Sequence, residues 1–153
     1  MAKRILVPVE RATDMAFTLR VVRMLASESG GIVRLLAVIP VPEPIRDGLD
    51  SVVVTTERQI ERRTIAKTEE LSRMAAMHLD GVPVETSVVF GDRDVEIGVE
   101  AEGFQADLVV MPFTGRPGPM ARIRRATRRL LAGGRAPARD VVRVSALRAE
   151  PTL

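Results

Sequence analysis

The 153 residues contain no cysteine and a single histidine, which limits the chemistry this chain can perform. Without a thiol there is no disulfide framework, no thiolate metal site and no cysteine nucleophile. With His78 alone, a zinc site built from several imidazoles is excluded. His78 falls near the end of a long helical stretch, where a cation complements the helix dipole, so it reads as a surface or partly buried residue rather than a general base. Asp92, Asp94 and Glu96 stand together at the start of another helical stretch. Capping and dipole compensation account for all three, and a metal site is the second reading. No Gly-x-Ser-x-Gly elbow, no Gly-x4-Gly-Lys-Ser/Thr loop and no Gly-x-Gly-x-x-Gly after the first strand is present. The expectation is a protein without catalytic residues, metal site or resident cofactor.

Charge is the next property that could act on a ligand. Of 23 basic residues 21 are arginine, and eight of them lie between Pro112 and Arg139, a stretch without a single acid. The rest of the chain holds 15 basic and 20 acidic residues, a net of −5. A basic segment on an acidic body offers an anion or nucleic-acid surface through the arginines of 116–129. The alternative is a solvated helix face. Nucleic acid is the weaker partner, because the chain has four phenylalanines and neither tyrosine nor tryptophan for base stacking.

These groups must be positioned by alternating strands and helices. Lys3–Val9 reads as a short buried strand. Thr13-Asp14 offers a helix start, and Met15–Ser29 has helical spacing with Phe17, Val21, Met24 and Leu25 on one face. Gly30-Gly31 ends that helix, and Ile32–Ile39 is a second strand, apolar apart from Arg34. Residues 40–48 hold three prolines and are expected to be loop. Thr55 or Thr56 caps a long helix to about Leu79, with Ile60, Ala66 or Lys67, Leu71, Met74 and Ala75 as its apolar stripe. Val82–Phe90 alternates as a strand, Val95–Glu102 is helical, Asp107–Met111 is a fourth strand, Met120–Leu131 an arginine-rich helix and Asp140–Val144 a last strand. This order predicts a three-layer α/β sandwich around a five-stranded, mainly parallel sheet built from right-handed crossovers. Near-continuous apolar strands agree, since parallel sheets are covered on both faces. One domain over residues 1–145 and a flexible tail over 146–153 follow.

Ile5-Leu-Val-Pro-Val-Glu10, then Gly91-Asp-Arg-Asp-Val-Glu-Ile with Ala106-Asp-Leu-Val-Val-Met111, then Thr114-Gly-Arg-Pro-Gly118 and Arg135-Ala-Pro137 occur in an order and spacing that resembles the universal stress protein family, the UspA domain. The resemblance spans roughly Lys3 to Val144. It implies a flavodoxin-like or Rossmann-like sandwich of the adenine nucleotide alpha hydrolase type, with strand order 3-2-1-4-5. It also implies a homodimer through the last strand, Asp140, Val141, Val142, Arg143 and Val144. Members that bind ATP place it where the strand order reverses and use Gly-x2-Gly-x9-Gly-Ser/Thr after the fourth strand, with an aspartate ending the first strand. The corresponding pocket here would comprise Pro8, Val9, Glu10, Val38, Met111, Pro112, Gly115, Arg125, Ala126 and Thr127.

At most of these points the sequence departs from the family. Aligned on Met111, the motif reads Pro112-x2-Gly115-x9-Arg125-Ala126, and the aspartate is Glu10. Pro112 removes a backbone donor, and Arg125 puts a long side chain where glycine keeps space clear. The resemblance therefore implies a regulatory or binding protein of the stress response that does not hold ATP in the usual way. The alternative is an ATP or AMP switch in which the Arg125 guanidinium takes over a phosphate contact. No apolar run reaches the roughly 18–20 residues of a membrane span and no signal peptide is read at the start, so a cytoplasmic protein is expected.

Overall fold

A computed structural model describes residues 3–11 and 15–112, and residues 140–144 as backbone. The predicted arginine-rich helix over 120–131 and the tail from 146 lie outside the described residues. The described residues form ten elements in chain order: β1 (Arg4–Pro8), α1 (Ala16–Ser29), β2 (Ile32–Ile39), β3 (Ile45–Arg46), β4 (Val52–Val54), α2 (Thr56–His78), β5 (Val84–Phe90), α3 (Arg93–Gly103), β6 (Leu108–Pro112) and β7 (Asp140–Val144).

β1 is buried from Ile5 to Pro8 because both its faces are covered. Ile5, Val7 and Val9 pack beneath α1 and α2 with Leu19, Val22, Leu35 and Leu71. Leu6 points the other way and meets Ile97, Ala101, Phe104 and Val109 beneath α3. Each fully buried aliphatic side chain of this kind contributes about 1.5–3 kcal/mol. Every pairing in the main sheet is parallel, and its order is β5-β2-β1-β6-β7. Counting only the strands of this sheet, that is the expected 3-2-1-4-5.

α1 shows where periodicity misled. Its inward residues are Met15, Thr18, Leu19, Val22 and Ala26, whereas Phe17 is 42% exposed and Met24 55% exposed. The helix is turned by about a third of a turn from the predicted face. Met15, Leu19, Val22 and Ala26 form their own helical stripe, and the small Ala26 lets the backbone approach the sheet. Val21 and Leu25 sit half-buried at the flank. Met15 is the N-cap residue and makes no side-chain cap bond, while Thr13 and Asp14 lie outside the described residues. At the other end Gly30 takes the left-handed conformation (φ 62°), as expected of a helix terminator.

The stretch expected to be loop, residues 40–48, contains a strand: Ile45–Arg46 pairs antiparallel with Val52–Val54 just beyond it in a second, two-stranded sheet. Its turn is closed locally by Asp47, whose Oδ1 accepts from the amides of Leu49 and Ser51. All three prolines precede Ile45, so the hairpin's own donors are intact. α2 begins at its Thr55 cap, whose hydroxyl accepts from Arg58 N. Leu71 and Met74 anchor its C-terminal half, but Ala66 is exposed and buried Gln59 replaces the expected apolar contact near its start. Gln59 Nε2 donates to Glu43 O at 2.6 Å, which ties the helix to the proline loop.

Candidate functional site

From β1 the chain crosses to β2 on one side of the sheet, and it later returns to β6 on the other. The carboxyl ends of β1 and β6 therefore part around a crevice, the place where open α/β sheets bind ligands. Val9 extends β1 by donating its amide to Leu36 O at 2.8 Å, so the chain stays flat until Glu10. Val38 lies near the end of β2.

Two hollows meet here. One, of about 290 Å³, is lined by Pro8, Val9, Glu10, Arg11, Leu36, Val38, Arg93 and Ile97. The other, of about 390 Å³, is lined by Val9, Glu10, Ala37, Val38, Ile39, Pro40, Arg63, Ala66, Lys67 and Glu70. Val9, Glu10 and Val38 belong to both and form the shared wall. Lys67 is paired with Glu70 at 2.7 Å on the α2 side. The α3-side hollow presents mainly polar surface, one carboxylate–guanidinium pair, Glu10 with Arg93, over a small apolar floor of Val9, Leu36, Val38 and Ile97, whereas the α2-side hollow is mainly apolar. A ligand with an apolar face on the α2 side and a polar edge toward Glu10 and Arg93 suits such a surface.

The turn into α3 positions Arg93. Gly91 stands at φ 150°, where any other residue is strained, while the Glu96 carboxylate that a Cβ would meet at 2.8 Å could swing aside. The Gly91 amide donates to Ile39 O at 3.0 Å and holds the end of β5 against the end of β2. Asp92 caps the helix by accepting from Val95 N at 3.2 Å, and Asp94 and Glu96 fill the first turn. The capping reading of the acidic trio therefore holds. No group of His, Cys, Asp and Glu among the described residues could hold a metal ion.

Of the ten residues predicted for the pocket, the crevice brings together Pro8, Val9, Glu10 and Val38. Met111 is buried in the core against the α3 layer, and Pro112 ends β6; neither lines the hollows. Gly115, Arg125, Ala126 and Thr127 lie outside the described residues. Arg93 was missed by sequence reasoning, which grouped its acidic neighbours and passed over the cation between them. The available signal was a long basic side chain opening the helix that follows a Gly-Asp turn.

The sequence model of the universal stress protein family matches residues 1–137. No curated protein matches the chain. Among solved structures, the hypothetical protein MJ0577 superposes with a TM-score of 0.67 at 20% identity, over 97% of this chain and 99% of that one. A universal stress protein from Archaeoglobus fulgidus in complex with dAMP gives 0.55 at 16% identity, over 92% and 96%. A universal stress protein in complex with cAMP gives 0.54 at 15% identity, over 94% and 97%. At these identities the likeness establishes the fold. None of the described helices is long and apolar enough to cross a membrane.

Proposed function

The chain belongs to the universal stress protein family, and we propose that it acts in the stress response as a non-enzymatic binding protein that recognises an adenine nucleotide chiefly through its nucleoside part. The observation that carries this reading is the crevice at the reversal of strand order, where Val9, Glu10 and Val38 form the common wall of two hollows. The α2-side hollow is apolar enough to cover a base, and the Glu10 carboxylate at the shared wall suits hydroxyl or amino donors. Two similar folds are complexes with monophosphates, dAMP and cAMP. In this sequence Pro112 and Arg125 stand at two of the family's three phosphate glycines, with Gly115 kept, which argues against the usual triphosphate grip.

In the described lining of both hollows the carboxylates are held in ion pairs, Glu10 with Arg93 and Glu70 with Lys67, which suits binding rather than turnover. A homodimer through β7 is part of the proposal, supported by β7 standing at the end of the sheet with one edge unpaired among the described residues.

Calorimetric titration of AMP, cAMP and ATP, with and without magnesium, tests the reading on protein checked by mass spectrometry for carried-through nucleotide. AMP and cAMP should bind, magnesium should change little, and Val38→Trp should abolish the heat by filling the shared wall while leaving the circular dichroism spectrum intact. Absence of binding by all three, with no nucleotide carried through purification, would refute the nucleotide reading and leave a protein that works through protein partners.

A further inference from the structure

Arg93 opens α3, and its Nη1 donates to Glu10 Oε1 across the mouth of the α3-side hollow. The pairing is end-on rather than forked: the second terminal nitrogen, Nη2, takes no part in it. That atom is enclosed, yet it has no hydrogen-bond partner among the described residues. Glu10 has no other bond among the described residues, so its Oε2 also stands unengaged. The side chains are 36% and 33% exposed, partly shielded from water but reachable.

An enclosed guanidinium donor without a partner is costly unless something accepts from it. The pair thus leaves one donor, Arg93 Nη2, and one acceptor, Glu10 Oε2, unused at a wall of the hollow that also holds Val9, Leu36, Val38 and Ile97; since Nη2 is enclosed, a ligand engages it once the guanidinium turns outward. A fully forked pair would have used both and left the hollow without a polar address.

We propose that Arg93 is a specificity-determining residue of this crevice: with Glu10 it selects a neutral ligand edge that carries a hydrogen-bond donor next to an acceptor. In an adenine nucleoside this edge is either the ribose diol or the amino group beside a ring nitrogen. The inference rests on the adenine-nucleotide reading above. It adds a contact that depends on neither phosphate nor magnesium. It also explains how binding would persist with two of the family's three phosphate glycines replaced, because discrimination is moved to the nucleoside.

The test is calorimetry with adenosine, AMP and ATP on the wild-type chain, Arg93→Ala and Arg93→Lys. Melting curves confirm that each variant is folded. Lysine keeps a charge for Glu10 but lacks the second, fixed donor. Adenosine affinity should fall about tenfold or more in both variants, the scale of one charge-assisted hydrogen bond. AMP and ATP should fall by the same factor. Two analogues then locate the edge: 2′,3′-dideoxyadenosine should lose the effect of the substitution if the diol is read, and purine riboside should lose it if the amino group is. Equal or tighter adenosine binding in both variants would overturn the role of Arg93 while leaving the nucleotide reading standing. No binding of adenosine, AMP or ATP to the wild-type chain would overturn both.

Discussion

Replacing Arg34 by methionine should cost about 2 kcal/mol of stability, because one guanidinium serves three partners on the α3 face of the sheet. Arg34 stands directly opposite Glu85 in the β2–β5 register. Its Nε and Nη2 donate to Glu85 Oε2 at 3.0 and 2.7 Å, and its Nη1 reaches Glu100 Oε2 at 3.3 Å. The guanidinium carbon also sits 4.3 Å from the centre of the buried Phe104 ring. Glu85 is 45% exposed, so that pair is worth roughly 0.5 kcal/mol after solvent screening. Glu100 is only 19% exposed, and leaving its carboxylate without a partner costs about 1 kcal/mol. The stacking on Phe104 adds roughly 1 kcal/mol, of which a methionine sulfur recovers part. Urea denaturation should show a lower midpoint at unchanged slope, and the melting temperature should fall by about 4–8 °C for a chain of this size. A double-mutant cycle with Phe104→Leu should give a coupling near 1 kcal/mol. High salt should narrow the gap between wild type and variant by about the Glu85 share. A loss below roughly 0.5 kcal/mol, or no coupling to Phe104, would refute the assignment of a structural role to this cluster.

Two further stability effects are expected. Gly31→Ala should destabilise by about 1–3 kcal/mol on urea denaturation, since its Cβ would lie 2.5 Å from Lys3 O and a backbone atom cannot swing away. Thr55→Ala and Asp92→Ala should each cost about 1 kcal/mol as lost helix caps; hydrogen exchange should locate the fraying in the first turns of α2 and α3 respectively.

The parts of the fold that the sequence displayed best are those buried on both sides. Ile32–Ile39 coincides with β2 residue for residue because nothing but a parallel, doubly covered strand accommodates that apolar run. α1 was recognisable as a helix, but its orientation was not: Phe17 and Met24 carry more apolar area than Thr18 and Ala26, yet close approach to the sheet favours the smaller pair. The β3–β4 hairpin escaped because its stability comes from the Asp47 turn bonds rather than from an alternating pattern. At the crevice, Pro8, Val9, Glu10 and Val38 were legible through the family resemblance. Arg93 was not, because it meets Glu10 across 83 residues of chain and only the crossover into α3 brings them together.

The central position of β1 has a consequence for synthesis on the ribosome. Its partner on one side, β2, follows almost at once, but the other side is covered only by β6, whose register begins at Ile5 opposite Leu108. A bond from Arg4 N to Asp107 Oδ2 closes that seam across 103 residues. When β5 has emerged at Phe90, a three-stranded β5-β2-β1 half-sheet can already assemble, with an apolar strand at its open edge. At about 5–20 residues per second that edge waits roughly one to four seconds for β6. During this interval the nascent chain presents a template for strand addition to any neighbour. Ribosomes spaced closely on one message would bring such edges together, so a pause in translation while residues 91–112 are leaving the ribosome should lower the yield of folded protein more than the same delay placed earlier.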